Sequence, residues 1–171
     1  MTTRRMLMAG AAGLAATATF VALRPATAVT SVGVAPATTT PGFTLSEADW
    51  RRKLTPAQFN VLRESGTEMP FSSALDRSFV AGRYDCVGCG QHLYSSHAKF
   101  DSGTGWPSFY EPLGHAIALK SDGSIGMQRT EVRCGNCDGH LGHVFDDGPR
   151  PTGLRYCMNG VVLNFVPGQP A

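Results

Sequence analysis

Five cysteines carry most of the reactive chemistry open to this chain, and they are unequally placed. Four form two pairs, Cys86-Val-Gly-Cys89 and Cys134-Gly-Asn-Cys137, while Cys157 stands alone in "GLRYCMNG". Two C-x-x-C loops brought together make a tetrahedral thiolate site with no open position, the pattern of structural rather than catalytic zinc. Glycines in and beside both loops (Gly88, Gly90, Gly135) suit tight turns around an ion. The long gap from Cys89 to Cys134 predicts that the site staples two parts of the domain separated by a central hairpin. Two other readings of the pairs stay open. They could be disulfides in an oxidising compartment, or one could be a redox C-x-x-C, although that wants a βαβ pattern which is missing.

Cys157 lies in a β-type run, and Arg155 two residues earlier shares its face of a regular strand. Upstream, "GHLGHVFDDGP" supplies His140 and His143. A guanidinium and an imidazolium near a thiol favour the thiolate, the reactive form. With His, Arg and the nearby Asn159, Cys157 reads as an activated nucleophile; a buried, inert free thiol fits the same residues. The two histidines could equally be core residues with satisfied rings. His92, just after the first pair, reads as a surface residue, and His97 and His115 have no such context. In "GTGWPSF", Trp106 and Phe109 can form an apolar wall for a methyl or thioether group, or simply anchor the loop.

These residues need elements to hold them. "SEADWRRKL" offers Ser46 as N-cap with Asp49 three residues on, and "TPAQFNVLRESG" offers Thr55, Pro56 and Gln58 with Gly66 to stop the helix. Phe59 and Leu62 then share a face. Beyond Gly66 the pattern turns to β. "AIALKSDGSIGMQRTEVRC" is two alternating runs around Ser121-Asp122-Gly123, and "LRYCMNGVVLNFV" is a second pair of runs around Asn159-Gly160. An antiparallel β domain with small helices at its start is expected, and no Gly-rich nucleotide fingerprint or P-loop is present.

The first 28 residues differ in kind. Arg4-Arg5, an apolar Ala/Gly/Leu run and Ala26-Thr27-Ala28 read as a twin-arginine export signal, with a retained membrane anchor as the alternative. An exported, periplasmic or extracytoplasmic protein is expected. Residues 29–45 read as a linker and residues 46–168 as the folded domain. Three of the fifteen basic residues lie in the signal, leaving twelve against thirteen acids, so no basic field for nucleic acid remains.

Taken together, the segments "LRESGTEMPFSS", "YDCVGCGQHLYSS", "KFDSGTGWPSF", "TEVRCGNCDGHLGHVFDDGP" and "GLRYCMN" closely resemble the methionine-R-sulfoxide reductases, the B-type family of methionine sulfoxide reductases. The resemblance runs in order from about Trp50 to Phe165. It implies a mainly β fold of two antiparallel sheets with short N-terminal helices, and one structural Zn2+ on Cys86, Cys89, Cys134 and Cys137. It implies Cys157 as nucleophile, with His140, His143, Arg155, Asn159 and Asp147 around it and Trp106 against the substrate methyl. The implied substrate is the R epimer of methionine sulfoxide in proteins or peptides, and the implied partner a thioredoxin-like or other thiol reductant. No nucleic acid is implied, and a monomer is expected. Many relatives carry a resolving cysteine two residues before the Trp. Thr104 stands there, so an external thiol is expected to regenerate Cys157.

Overall fold

A computed structural model describes residues 42–124 and 126–168. The expected export signal over 1–28 and nearly all of the linker lie outside the described residues. The described residues open with two helices, α1 (Glu47–Lys53) and α2 (Pro56–Glu64). Ser46 caps α1 by accepting the Asp49 N–H, and Thr55 and Gln58 form a full capping box on α2. Residue Ser65, not Gly66, takes the left-handed turn that ends α2 (φ 57°), and the Gly66 N–H closes onto the Asn60 carbonyl at 3.0 Å. Order also begins before Ser46. The Phe43 N–H donates to the Asn136 carbonyl at 3.0 Å, and its ring meets Trp50 edge-on, so the last residues assigned to the linker are part of the domain.

Nine strands follow: β1 (Gly82–Cys86), β2 (His92–Ser95), β3 (Lys99–Phe100), β4 (Ser108–Phe109), β5 (Ile117–Asp122), β6 (Arg129–Cys134), β7 (His140–Phe145), β8 (Arg155–Met158) and β9 (Leu163–Pro167). They form two antiparallel sheets, one ordered β2-β1-β9 and the other β3-β4-β8-β7-β6-β5. The expected hairpin around Ser121-Asp122-Gly123 is β5–β6, but Asp122 still pairs with Arg129, so the turn falls over 123–128. Its carboxylate accepts the Ser124 N–H at 2.9 Å, which starts the turn one step later than the Asp-Gly pattern suggests. The two runs around Asn159-Gly160 are strands, but they do not pair with each other. A single 3-10 turn, Gly160–Val162, carries the chain from β8 in the larger sheet to β9 in the smaller.

Aromatic rings fill the space between the sheets. Tyr94 of β2 stacks on Phe109 of β4 (4.4 Å), Tyr84 of β1 meets the same ring edge-on (4.9 Å), and the Tyr94 hydroxyl donates to Met158 Sδ of β8 at 3.1 Å. Strand alternation then dictates the outer face. With Tyr156 and Met158 buried, Arg155 and Cys157 must point away from the core. Leu62 of α2, fully buried, packs against the loops of both cysteine pairs at Gly88 and Gly139.

β7 carries a bulge. Val132 pairs with Gly142 but Arg133 pairs with His140, so Leu141 is an extra residue. Gly142, next to it, lies so close to β8 that a Cβ there would sit 2.1 Å from the Cys157 carbonyl oxygen. Gly142→Ala is therefore expected to cost about 3 kcal/mol through forced separation of β7 and β8, measured as a lowered midpoint in urea denaturation.

Candidate active site and metal centre

Directly paired residues of an antiparallel ladder share a face. One such row crosses five strands: Ser108 (β4), Cys157 (β8), His143 (β7), Glu131 (β6) and Lys120 (β5). It lies on the outer, polar face of the larger sheet, so the register alone sets the lone cysteine between a hydroxyl and an imidazole. His140 lies three residues before His143 and would face the core in a regular strand. The extra Leu141 turns it back, and the two rings meet edge-on at 5.4 Å.

Each histidine is held by a carboxylate. His140 Nδ1 lies 2.7 Å from Glu131 Oε1, which also accepts from Arg133 at 3.0 Å. Burial disfavours the charge of Glu131, but the His140 hydrogen bond and Arg133 prevail and keep it below the usual carboxylate range. His143 Nε2 lies 2.7 Å from Asp122 Oδ2. Hydrogen bonds from Ser124, then from His143 and Arg129, hold Asp122 well below that range, so it is an ionised acceptor and Nε2 carries the proton. Burial pulls His143 itself below the ordinary imidazole value, despite Asp122, and Arg129 adds to the effect. At neutral pH this ring is uncharged, with Nδ1 unprotonated.

Of the two readings open for Cys157, burial favours the neutral thiol. Burial raises Cys157 above the ordinary thiol value, and neither the Thr104 hydroxyl nor the Arg155 charge makes up for it. Arg155 is shared with a second partner. Its guanidinium forms a two-pronged pair with Asp147 (2.8 and 2.8 Å) and lies 4.4 Å over Phe145. Asp147, rather than its neighbour Asp146, makes this pair, and through it sets the position of Arg155.

The remaining expected residues divide. Trp106 is half-buried, and its indole N–H donates to the Glu68 carbonyl at 3.2 Å. Phe109 is not part of a substrate wall. Ser108 faces Cys157, so its neighbour faces inward, fully buried between Tyr84 and Tyr94. Asn159 is 3% exposed and tied to the frame, donating from Nδ2 to the Leu141 carbonyl (3.0 Å) and accepting the Glu68 N–H on Oδ1 (3.0 Å). It locks the bulge to the end of β8. Thr104 Oγ1 lies 3.9 Å from Cys157 Sγ and joins a hydroxyl chain through Ser102 to Ser108 (2.8 Å each). His92 is exposed and pairs with Asp85. Ser108, Asp122, Glu131 and Glu68 carried no signal as site residues in the sequence. Strand register brings the first three in, and Asp122 was legible only as a turn former.

The four other cysteines meet between the sheets. Cys86 ends β1 and Cys134 ends β6, and all four sulfurs lie within 4.8 Å of one another. Cys86–Cys137 is 3.7 Å and Cys89–Cys134 is 3.5 Å. Tetrahedral Zn–S bonds of about 2.3 Å require sulfurs about 3.8 Å apart, so the spacing fits such an ion. None of the four is in a disulfide, and the cluster is arranged as a possible metal site. The loops share one design. Gly90 N–H donates to the Cys86 carbonyl as Asp138 N–H does to Cys134, and both Gly90 and Asp138 are left-handed.

Comparison with known proteins follows this geometry. A family model described as SelR domain matches residues 54–167. A curated "Peptide methionine sulfoxide reductase MsrB" of Leptospira interrogans (serogroup Icterohaemorrhagiae serovar Lai, strain 56601) is 54% identical over 121 residues, 70% of this chain and 92% of that protein. Proteins of the same name from Agrobacterium fabrum (52% over 130 residues, 75% and 96%) and Methanosarcina barkeri (55% over 121 residues, 70% and 85%) are similar in extent.

Two measurements check the site. Metal analysis is expected to find about one divalent ion per chain, lost in Cys89→Ser together with several kcal/mol of folding stability. Alkylation of Cys157 by iodoacetamide is expected to accelerate continuously from neutral pH through the ordinary thiol range, with no plateau near pH 7, because the resting group is the thiol.

Proposed function

The chain belongs to the SelR-domain, B-type family of peptide methionine sulfoxide reductases, and from that premise we propose that it reduces the R epimer of protein-bound methionine sulfoxide through a sulfenic acid on Cys157. As an oxidoreductase acting on methionine sulfoxide it needs a nucleophile for sulfur and a proton for oxygen. The observation that carries the reading is the pairing of Cys157 with His143 across β7 and β8. A neutral His143 with Nδ1 free is suited to take the thiol proton and pass it to the sulfoxide oxygen. The Cys157 sulfur attacks the substrate sulfur, methionine leaves, and the oxygen remains as Cys157–SOH. Arg155, steadied by Asp147, supplies positive charge beside the thiolate as it forms. Trp106 bounds the methyl side of the site, and distinct walls for methyl and oxygen are what epimer selection requires.

Recovery needs another molecule. Four of the five cysteines are committed to the cluster, and the residue in contact with Cys157 is Thr104. An external thiol attacks Cys157–SOH, releasing water and leaving a mixed disulfide, and a second thiol, in the same reductant or another molecule, releases Cys157 as the thiol. Cys86, Cys89, Cys134 and Cys137 would hold Zn2+, which would supply a crosslink between the sheets and no chemistry at Cys157. Residues 1–28 serve as an export signal, so the reaction takes place outside the cytoplasm. Arg4-Arg5 and the Ala26-Thr27-Ala28 site support this, and residues 1–53 lie outside the matched family region.

Cys157→Ser is expected to abolish reduction of the R-sulfoxide while metal content stays intact. In the native chain a single turnover without reductant is expected to add about 16 Da at Cys157 and consume one thiol per methionine formed. Thr104→Cys is expected to change that outcome to an intrachain disulfide and the loss of two thiols. An intrachain disulfide on Cys157 in the native chain would refute the external route.

A further inference from the structure

Of the four large apolar side chains exposed between α2 and β1, Met69 and Phe71 lie in the part of the segment that joins the Trp106 loop. Among the described residues the exposed large hydrophobics are Leu45, Met69, Phe71, Phe79, Val80 and Met127; Met69 and Phe71 are 74% and 58% exposed. Phe71 is also left-handed (φ 63°), an unusual state for a bulky residue and one that persists only when its surroundings enforce it. Here they do. The Phe71 N–H donates to the Gly105 carbonyl at 2.7 Å, and a Cβ on Gly105 would meet the Phe71 ring at 2.9 Å. The ring therefore rests on the residue that precedes Trp106.

Glu68 fastens the same segment from the other side. Its carbonyl accepts from the Trp106 indole (3.2 Å), its N–H donates to Asn159 (3.0 Å), and its carboxylate accepts the Gly160 and Val161 N–H groups (2.6 and 2.8 Å). A turn closed by Ser72 onto the Met69 carbonyl (2.7 Å) completes the ledge. The fold thus fixes an apolar ledge continuous with Trp106 and anchored to the end of the strand that bears Cys157, without burying it. An exposed apolar patch held this firmly marks an interaction surface.

We infer that Met69 and Phe71 form a subsite for apolar side chains flanking the methionine sulfoxide in a loosened polypeptide. The inference rests on the reading of the chain as a methionine sulfoxide reductase. A peptide whose sulfoxide lies against Trp106 must continue past that ring, and the ledge adjoins it. Methionine belongs mostly to protein interiors, among apolar neighbours. Its oxidation makes it polar and disrupts that packing, so the segments needing repair present those neighbours to solvent.

The test compares kcat/KM on two acetylated, amidated pentapeptides with a central methionine R-sulfoxide, flanked by Leu or by Ser. The native protein, metal-loaded and supplied with dithiothreitol, is expected to prefer the Leu-flanked peptide roughly tenfold, mainly through KM. In Met69→Ser/Phe71→Asn the ratio is expected to fall to about one, whereas Phe71→Leu is expected to keep most of it. Asn is chosen because it tolerates the left-handed backbone, and Phe71→Asn alone serves if the double variant fails to fold. A native ratio near one, or a Met69→Ser/Phe71→Asn protein that keeps the native ratio, overturns the inference. A native protein that reduces neither peptide nor free methionine R-sulfoxide overturns the underlying functional reading instead.

Discussion

Cys157 and Met158 are neighbours in the chain that must occupy opposite sides of one sheet. Met158 takes the Tyr94 hydroxyl inside the aromatic core, while Cys157 faces outward between Ser108 and His143. The pleat of β8 makes both placements at once, and a slip of one residue would exchange them. Packing energy in the core therefore holds the Cys157 thiol in place. Phe109 shows the same constraint on the neighbouring strand, where its burial between two tyrosines is what turns Ser108 toward the thiol.

Catalytic geometry departs from regular β structure at one point, the extra Leu141. That bulge rotates His140 onto the face of His143, and it is held from β8 by Asn159, whose backbone N–H and side-chain amide both donate to the Leu141 carbonyl. Asn159 in turn receives the Glu68 N–H, and Glu68 receives the Trp106 indole. One connected set of hydrogen bonds thus relates the histidine pair, the end of the nucleophile strand and the aromatic wall. Two carboxylates, buried Glu131 and part-exposed Asp122, finish the arrangement. They orient each imidazole by hydrogen bonding, while burial keeps both His143 and Cys157 in their uncharged forms at rest.

Stability and reactivity are assigned to different sulfurs. The four paired cysteines lie where β1 and β6 end, one pair on each sheet, and join parts of the chain far apart in sequence. They are sheltered by Leu62 and braced by Arg63, which donates to the Cys137 carbonyl. On the proposed function, a crosslink separate in role from Cys157 would let the fifth thiol change oxidation state while the frame stays intact.

Much of this was legible in the sequence, for physical reasons. Capping residues and C-x-x-C spacing are local signals, so Ser46, Thr55, Gln58 and the four-cysteine site could be read directly, as could the alternation that predicted β structure beyond Gly66. The odd count of cysteines singled out Cys157, and the motif order pointed to its chemistry. What tertiary structure alone decided were matters of register, bulge and burial, which depend on residues distant along the chain. These placed Phe109 in the core, turned the Asn159-Gly160 runs into a crossover between sheets, and brought Asp122 and Glu131 to the histidines. They also set the balance between the two readings of the thiol, which burial raises above its ordinary value. Local sequence shows a guanidinium near a sulfur, but the cost of charging that sulfur depends on how much water the folded chain leaves around it.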